Sequence, residues 1–175
     1  MITVYLSHGL ESGPGALKVQ ALKGVAERLD NVDTVVMDYR QQPDPRDRLE
    51  HLRRTLAERG DDPARCVMAG SSLGGWVSAM LGAEHAVLGC FLLAPALGIA
   101  GYPETSPVLK AQACHLIHGW QDDVVAPGPV IDYARDQRLS LRLLDDDHRL
   151  HASLSIILGD FERFLHHCEA LAGCE

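Results

Sequence analysis

The chain has 175 residues, 46% of them hydrophobic and 23% charged, with a formal net charge of −8 at pH 7. That length fits a single domain spanning 1–175, able to bury a core without disulfides or a structural metal. The acidic balance, spread along the chain, argues against nucleic acid or an anionic membrane as partner.

Taken in chain order, apolar strand-like runs fall near 2–6, 32–38, 65–70, 87–93, 113–118 and 140–145, and helix-like periods near 15–29, 45–59, 75–84, 128–137 and 151–168. Leu49, Leu52 and Leu56 recur at helical spacing, with Gly60 as the stop. The last helix carries Leu154, Ile157, Leu158, Phe161, Phe164 and Leu165 on one stripe. Apolar strands alternating with amphipathic helices predict an α/β fold, a mostly parallel sheet covered on both faces. A strand opens at Ile2 and the first lysine is Lys18, so no secretory leader is expected. The longest apolar stretch, 87–100, is broken by Pro95 and is too short to span a bilayer. Five cysteines, Cys66, Cys90, Cys114, Cys168 and Cys174, are odd in number and read as free thiols of a reducing compartment. The cytoplasm is the expected location.

Residues 66–76, CVMAGSSLGGW, hold the most informative pattern. An apolar strand ends at Gly70, Ser72 follows, and Gly74 and Gly75 lead into Trp76-Val77-Ser78-Ala79-Met80-Leu81, apolar enough to begin a helix. This is G-x-S-x-G at a strand-to-helix turn, where glycines relieve crowding and the serine hydroxyl is exposed at the positive end of the helix dipole. A bland alternative is a tight turn whose serine only caps the helix. The motif's geometry also makes the backbone N–H of Leu73 a donor to an oxyanion.

Partners follow in order. Residues 113–119 run apolar into His118-Gly119, with Asp122 and Asp123 beyond, and Asp145-Asp146-Asp147 precede His148. Serine, acid, histidine is the chain order of a hydrolase triad on an α/β sheet. A serine hydroxyl needs a base to take its proton; an imidazole suits that transfer at neutral pH, and a carboxylate fixes the imidazole tautomer. On the residues alone, either Asp122 or Asp123 can be that carboxylate.

The chain resembles small, lidless bacterial esterases and thioesterases of the α/β-hydrolase superfamily. The likeness rests on Ser7-His8-Gly9, Gly70-Ser71-Ser72-Leu73-Gly74, His118-Gly119 and Asp147-His148-Arg149. It implies a three-layer sandwich around an about six-stranded sheet, a reduced form lacking the first two strands of the full-sized fold and any cap domain. The family pattern H-G-x-x-D-x-V-V-P selects Asp122, although Ala126 stands where its proline usually sits and Pro127 comes one later. The resemblance also gives Leu10 as the second oxyanion donor. The catalytic set it implies is Ser72, His148 and Asp122, with Leu73 and Leu10 holding the oxyanion. No cofactor and no metal are expected, and the substrate is a small acyl ester or thioester.

Residues 96–112 lie in the cap position and are long enough for a flap, not a lid domain. His8 and His118, each before a glycine, read as props in tight loops, with His8 also a candidate substrate contact. Trp120 is a candidate wall of the acyl pocket or packing at the loop base, and Trp76 reads as core. His151 reads as a surface residue in the first turn of the last helix, His166-His167 as its exposed end, and Asp145–Asp147 as a solvated turn. Two other functions share this pattern: a non-catalytic binding protein on the same fold, and acyl transfer or perhydrolysis through the same triad.

Overall fold

In the computed structural model, which describes residues 1–173, strands and helices alternate along the chain, save that the fourth and fifth strands follow one another with no helix between them. The strands are β1 (Ile2–Ser7), β2 (Val32–Val36), β3 (Cys66–Ser71), β4 (Gly89–Leu93), β5 (Ala113–Gly119) and β6 (Ser140–Leu144). The helices are α1 (Leu17–Ala26), α2 (Pro45–Arg59), α3 (Leu73–Glu84), α4 (Pro127–Gln137) and α5 (Leu154–Gly173). The six strands form one sheet in the order β2-β1-β3-β4-β5-β6, and every neighbouring pair is parallel. This is the six-stranded, three-layer arrangement expected from the sequence.

Successive side chains of a strand point to opposite faces, and here both faces are apolar. Val4, Leu6, Val67, Ala69, Phe91 and Leu93 meet α1 and α5 on one side. Tyr5, Met68, Cys90 and Leu92 meet α2, α3 and α4 on the other. Each large side chain buried in these layers contributes roughly 2 kcal/mol. Cys66, Cys90 and Cys168 are buried free thiols, and Cys114 is a partly buried one; Cys174 lies outside the described residues.

The sequence marks α2 at both ends. The Asp44 carboxylate accepts from the Arg46 N–H at 2.7 Å, and Pro45 opens the first turn. Gly60 ends the helix with φ 67°, a left-handed conformation that glycine adopts without strain. Helix α5 departs from expectation at both ends. It starts at Leu154, leaving His151 in the preceding loop, and continues to Gly173 because Leu171 and Ala172 still pack on the core. His166 and His167 therefore lie inside the helix, and His166 pairs with Glu169 at 3.0 Å. The Asp145–Asp147 turn is not uniformly solvated: Asp146 is buried, and its carboxylate accepts from the Asp147 N–H and the Ser153 N–H, both at 2.8 Å.

Residues 96–112 contain neither helix nor strand. They are fastened to the helices beneath: the Trp76 indole N–H donates to the Glu104 carbonyl at 2.6 Å, and the Tyr133 hydroxyl to the Pro107 carbonyl at 2.7 Å. Among the described residues, no cap domain interrupts the sheet. The carboxyl ends of β1, β3, β5 and β6 share one edge, where open α/β sheets bind their ligands.

Candidate active site

Ser72 sits between β3 and α3 with φ 56° and ψ −119°, a strained conformation for a residue with a side chain. Close packing holds it there. A Cβ at Gly70 would come within 2.2 Å of the Gly74 carbonyl oxygen, and one at Gly74 within 2.1 Å of the Ser7 carbonyl oxygen. The Ser72 N–H donates to the Leu93 carbonyl at 2.9 Å, and its carbonyl accepts from the Trp76 and Ala96 N–H groups at 3.1 and 3.0 Å. Its side chain makes no capping bond to α3, which disposes of the bland capping alternative. The hydroxyl is free for another partner.

That partner is His148. Ser72 Oγ lies 3.0 Å from His148 Nε2, and His148 Nδ1 lies 2.7 Å from Asp122 Oδ2. A carboxylate accepts only, so Nδ1 carries a proton and donates, leaving Nε2 to accept from the serine. The other Asp122 oxygen accepts from the Val124 and Val125 N–H groups at 2.9 and 2.7 Å. Asp122 is buried, whereas Asp123 is exposed. The structure brings Asp122, not its neighbour, to the imidazole.

His118 is fully buried, its Nε2 2.9 Å from the Val125 carbonyl and 3.2 Å from Asp122 Oδ2. Both partners accept, so Nε2 carries the proton and Nδ1, without a partner, does not. His8 is also fully buried. Its Nε2 accepts from the Tyr39 N–H at 2.9 Å, and its Nδ1 donates to the Gly9 carbonyl at 2.7 Å. Burial holds both rings below the ordinary histidine value, keeping them neutral. With both its nitrogens engaged inside the protein, His8 is occupied as a loop prop, with no free nitrogen to offer a substrate.

The β1–α1 loop lies directly against the serine: a Cβ at Gly9 would stand 3.5 Å from Ser72 Cβ. Among the described residues, the Leu10 and Leu73 amides donate no hydrogen bond within the protein. Arg48 of α2 reaches under this loop, a residue that the apolar periodicity of the helix does not single out. The available signal was its position one turn before Leu52 and two before Leu56, on the apolar stripe.

A cavity of about 730 Å³ opens at this edge, lined by Ser72, His148, Leu10, Leu17, Ile99, Tyr102 and Val124 among others. This is a size suited to a small organic ligand. Lys18 is also in its wall, donating to the Arg149 carbonyl at 2.7 Å; burial, opposed by Asp147, Asp122 and Asp146, brings its ammonium down to about 8. Trp120 corrects the expectation: it is 56% exposed and belongs neither to the cavity wall nor to the core. Its backbone N–H donates to the Leu144 carbonyl at 2.8 Å. Trp76, in contrast, is fully buried. Among the described residues, no group of three or more His, Cys, Asp or Glu side chains is arranged to hold a metal ion, and no helix is long and apolar enough to cross a membrane.

The model of the uncharacterised protein family UPF0227 matches residues 2–119. A candidate hydrolase of the α/β superfamily from Xanthomonas campestris pv. campestris is 32% identical, with 95% of this chain and 99% of that one covered and a TM-score of 0.83. The chain belongs to the α/β-hydrolase superfamily, in family UPF0227. The fold is shared more distantly with Est1E from Butyrivibrio proteoclasticus (17% identity, 97% of this chain and 88% of that one, TM-score 0.77). It is shared likewise with an α/β serine hydrolase without lid from Xanthomonas campestris (21% identity, 95% and 81%, TM-score 0.76). No curated protein sequence matches the chain. These relatives support a hydrolase, and they leave its chemistry to the site.

Proposed function

We propose that this protein is a serine hydrolase that cleaves small carboxylic esters or thioesters through an acyl-enzyme. The observation that carries the reading is the unbroken series Ser72 Oγ, His148 Nε2, His148 Nδ1, Asp122 Oδ2, with contacts of 3.0 and 2.7 Å. In this mechanism Ser72 attacks the acyl carbonyl while His148 takes its proton. The imidazolium so formed, held by Asp122, returns that proton to the departing alcohol or thiol. Water then enters and adds to the acyl carbon as His148 removes its proton, and the imidazolium returns that proton to Ser72 Oγ as the carboxylic acid leaves. The amides of Leu73 and Leu10 receive the negative charge that develops on the carbonyl oxygen at each step. The apolar side chains at the mouth suit a small acyl group, and with no lid domain the site stays open to water.

The test is labelling with a fluorophosphonate, followed by assay on p-nitrophenyl esters and acyl-CoA thioesters. Phosphonylation at Ser72, absent in Ser72→Ala and strongly weakened in His148→Ala, is expected. Folded protein that takes no label and turns over no ester refutes the reading and favours a binding protein on the same fold.

A further inference from the structure

Arg48 is the most unusual charge in the molecule. It is 1% exposed, yet among the described residues it has no carboxylate within ion-pair distance. Buried charges are ordinarily paired, because an unpaired one is expensive to remove from water. Here carbonyl oxygens replace the anion. Nη1 donates to the carbonyls of His8 at 2.9 Å and Gly9 at 3.2 Å, Nη2 lies 3.4 Å from the Leu10 carbonyl, and Nε donates to the Gln42 carbonyl at 2.7 Å. The guanidinium carbon stands 5.1 Å from the centre of the Tyr39 ring, a cation–π contact.

Three of those carbonyls belong to consecutive residues of the loop that lies against Ser72. The peptide bonds are trans, so the C=O and N–H of one peptide unit point in opposite directions. Holding the His8 and Gly9 carbonyls on the guanidinium therefore turns the Gly9 and Leu10 N–H groups away from α2. The opposite side of the loop is the cavity, which Gly9, Leu10 and Ser72 all line. A lysine could not do this, since its single ammonium lacks the planar fork that spans several carbonyls.

We propose that Arg48 is the positioning residue of the oxyanion loop: by gripping the carbonyls of His8, Gly9 and Leu10 from below, it presents the Leu10 amide to the charge that forms above Ser72. The inference rests on the serine-hydrolase reading and adds to it the device that aims one oxyanion donor. Arg48 never touches substrate. Its effect belongs to the transition state, so it appears in kcat and in the binding of tetrahedral mimics, while the ground-state affinity stays as it was.

The experiment compares wild type, Arg48→Lys and Arg48→Met on p-nitrophenyl acetate, with active sites counted by fluorophosphonate so that only folded protein is scored. The expected result is a fall in kcat of roughly a hundredfold in both variants, the scale of losing one oxyanion donor, with KM within about twofold of wild type. Affinity for phenylboronic acid, which forms a tetrahedral anion on the serine, should fall by the same factor as kcat/KM. A labelled variant with wild-type kcat, or one altered only in KM, overturns the proposal. A measurement on wild type alone guards against variants that do not fold: formation of the boronate should shift the Leu10 amide proton strongly downfield, and an unmoved Leu10 resonance overturns the proposal as well. If wild type takes neither fluorophosphonate nor boronate at Ser72, it is the hydrolase reading that has failed, and this inference goes with it.

Discussion

His118 Nε2 lies 3.2 Å from the Asp122 oxygen that also accepts the hydrogen bond from His148 Nδ1–H. Two imidazoles thus share one carboxylate oxygen, one facing the serine and one sealed in the core. The buried ring fixes the carboxylate from behind, while the Val124 and Val125 amides fix it from the side. Replacing His118 with Phe removes that support and strands the Val125 carbonyl. Stability should drop by about 1–3 kcal/mol, and kcat roughly tenfold as His148 loses its alignment. Urea unfolding and ester turnover measured on the same preparation check both.

Asp122→Asn should cost roughly 10⁴ in kcat, because an amide can favour the wrong imidazole tautomer even where the geometry survives. Asp123→Asn, at the exposed neighbouring position, should cost less than about tenfold on the same scale. Steady-state rates for the two single variants decide between the carboxylates.

Burial lowers the affinity of His8, His51, His115 and His118 for protons in the folded state. The unfolded chain, with histidines near about 6.5, binds protons that the folded one refuses. Stability is therefore fully present above that value and is lost as pH falls from it toward the depressed folded-state values. The urea midpoint should decline between about pH 7.5 and about pH 5.5, and His118→Phe should flatten the decline. A midpoint independent of pH across that window contradicts this account.

The turn around Ser72 has no room for methyl groups. Gly74→Ala would drive a Cβ to 2.1 Å from the Ser7 carbonyl oxygen and 2.7 Å from that of His8. These are backbone atoms that cannot swing aside, so a loss of about 3 kcal/mol or more is expected. Gly15→Ala, with nothing within 4 Å of the added carbon, should be close to neutral. Thermal melts of the pair test the claim.

The fold was legible because its signals are local. Leu49, Leu52, Leu56, Asp44 and Gly60 delimit α2, and the Gly70-x-Ser72-x-Gly74 turn announces itself by residue type. The order serine, acid, histidine pointed to Ser72 and His148, while the choice of Asp122 over Asp123 came from the family resemblance and not from the order. Local signals fail where burial comes from distant chain segments. Leu171 and Ala172 extend α5 because they pack against the buried cluster formed by distant chain segments. Trp120 is exposed although its backbone is tied to β6 through the Leu144 carbonyl. Arg48 was hidden by its type: arginine is ordinarily a surface residue, and only the fold puts three consecutive carbonyls around its tip. His118 was read as a loop prop, but its contact with Asp122 depends on the turn between them.

Residues 96–112 are tied down at Trp76 and Tyr133, so among the described residues none forms a shutter over the edge that carries Ser72 and His148. Nothing has to swing open before a product departs, so turnover should be indifferent to solvent viscosity up to the limit of diffusion. On the proposed reading, substrates would be chosen by the shape of a standing doorway, with no gain from a domain folding down over them.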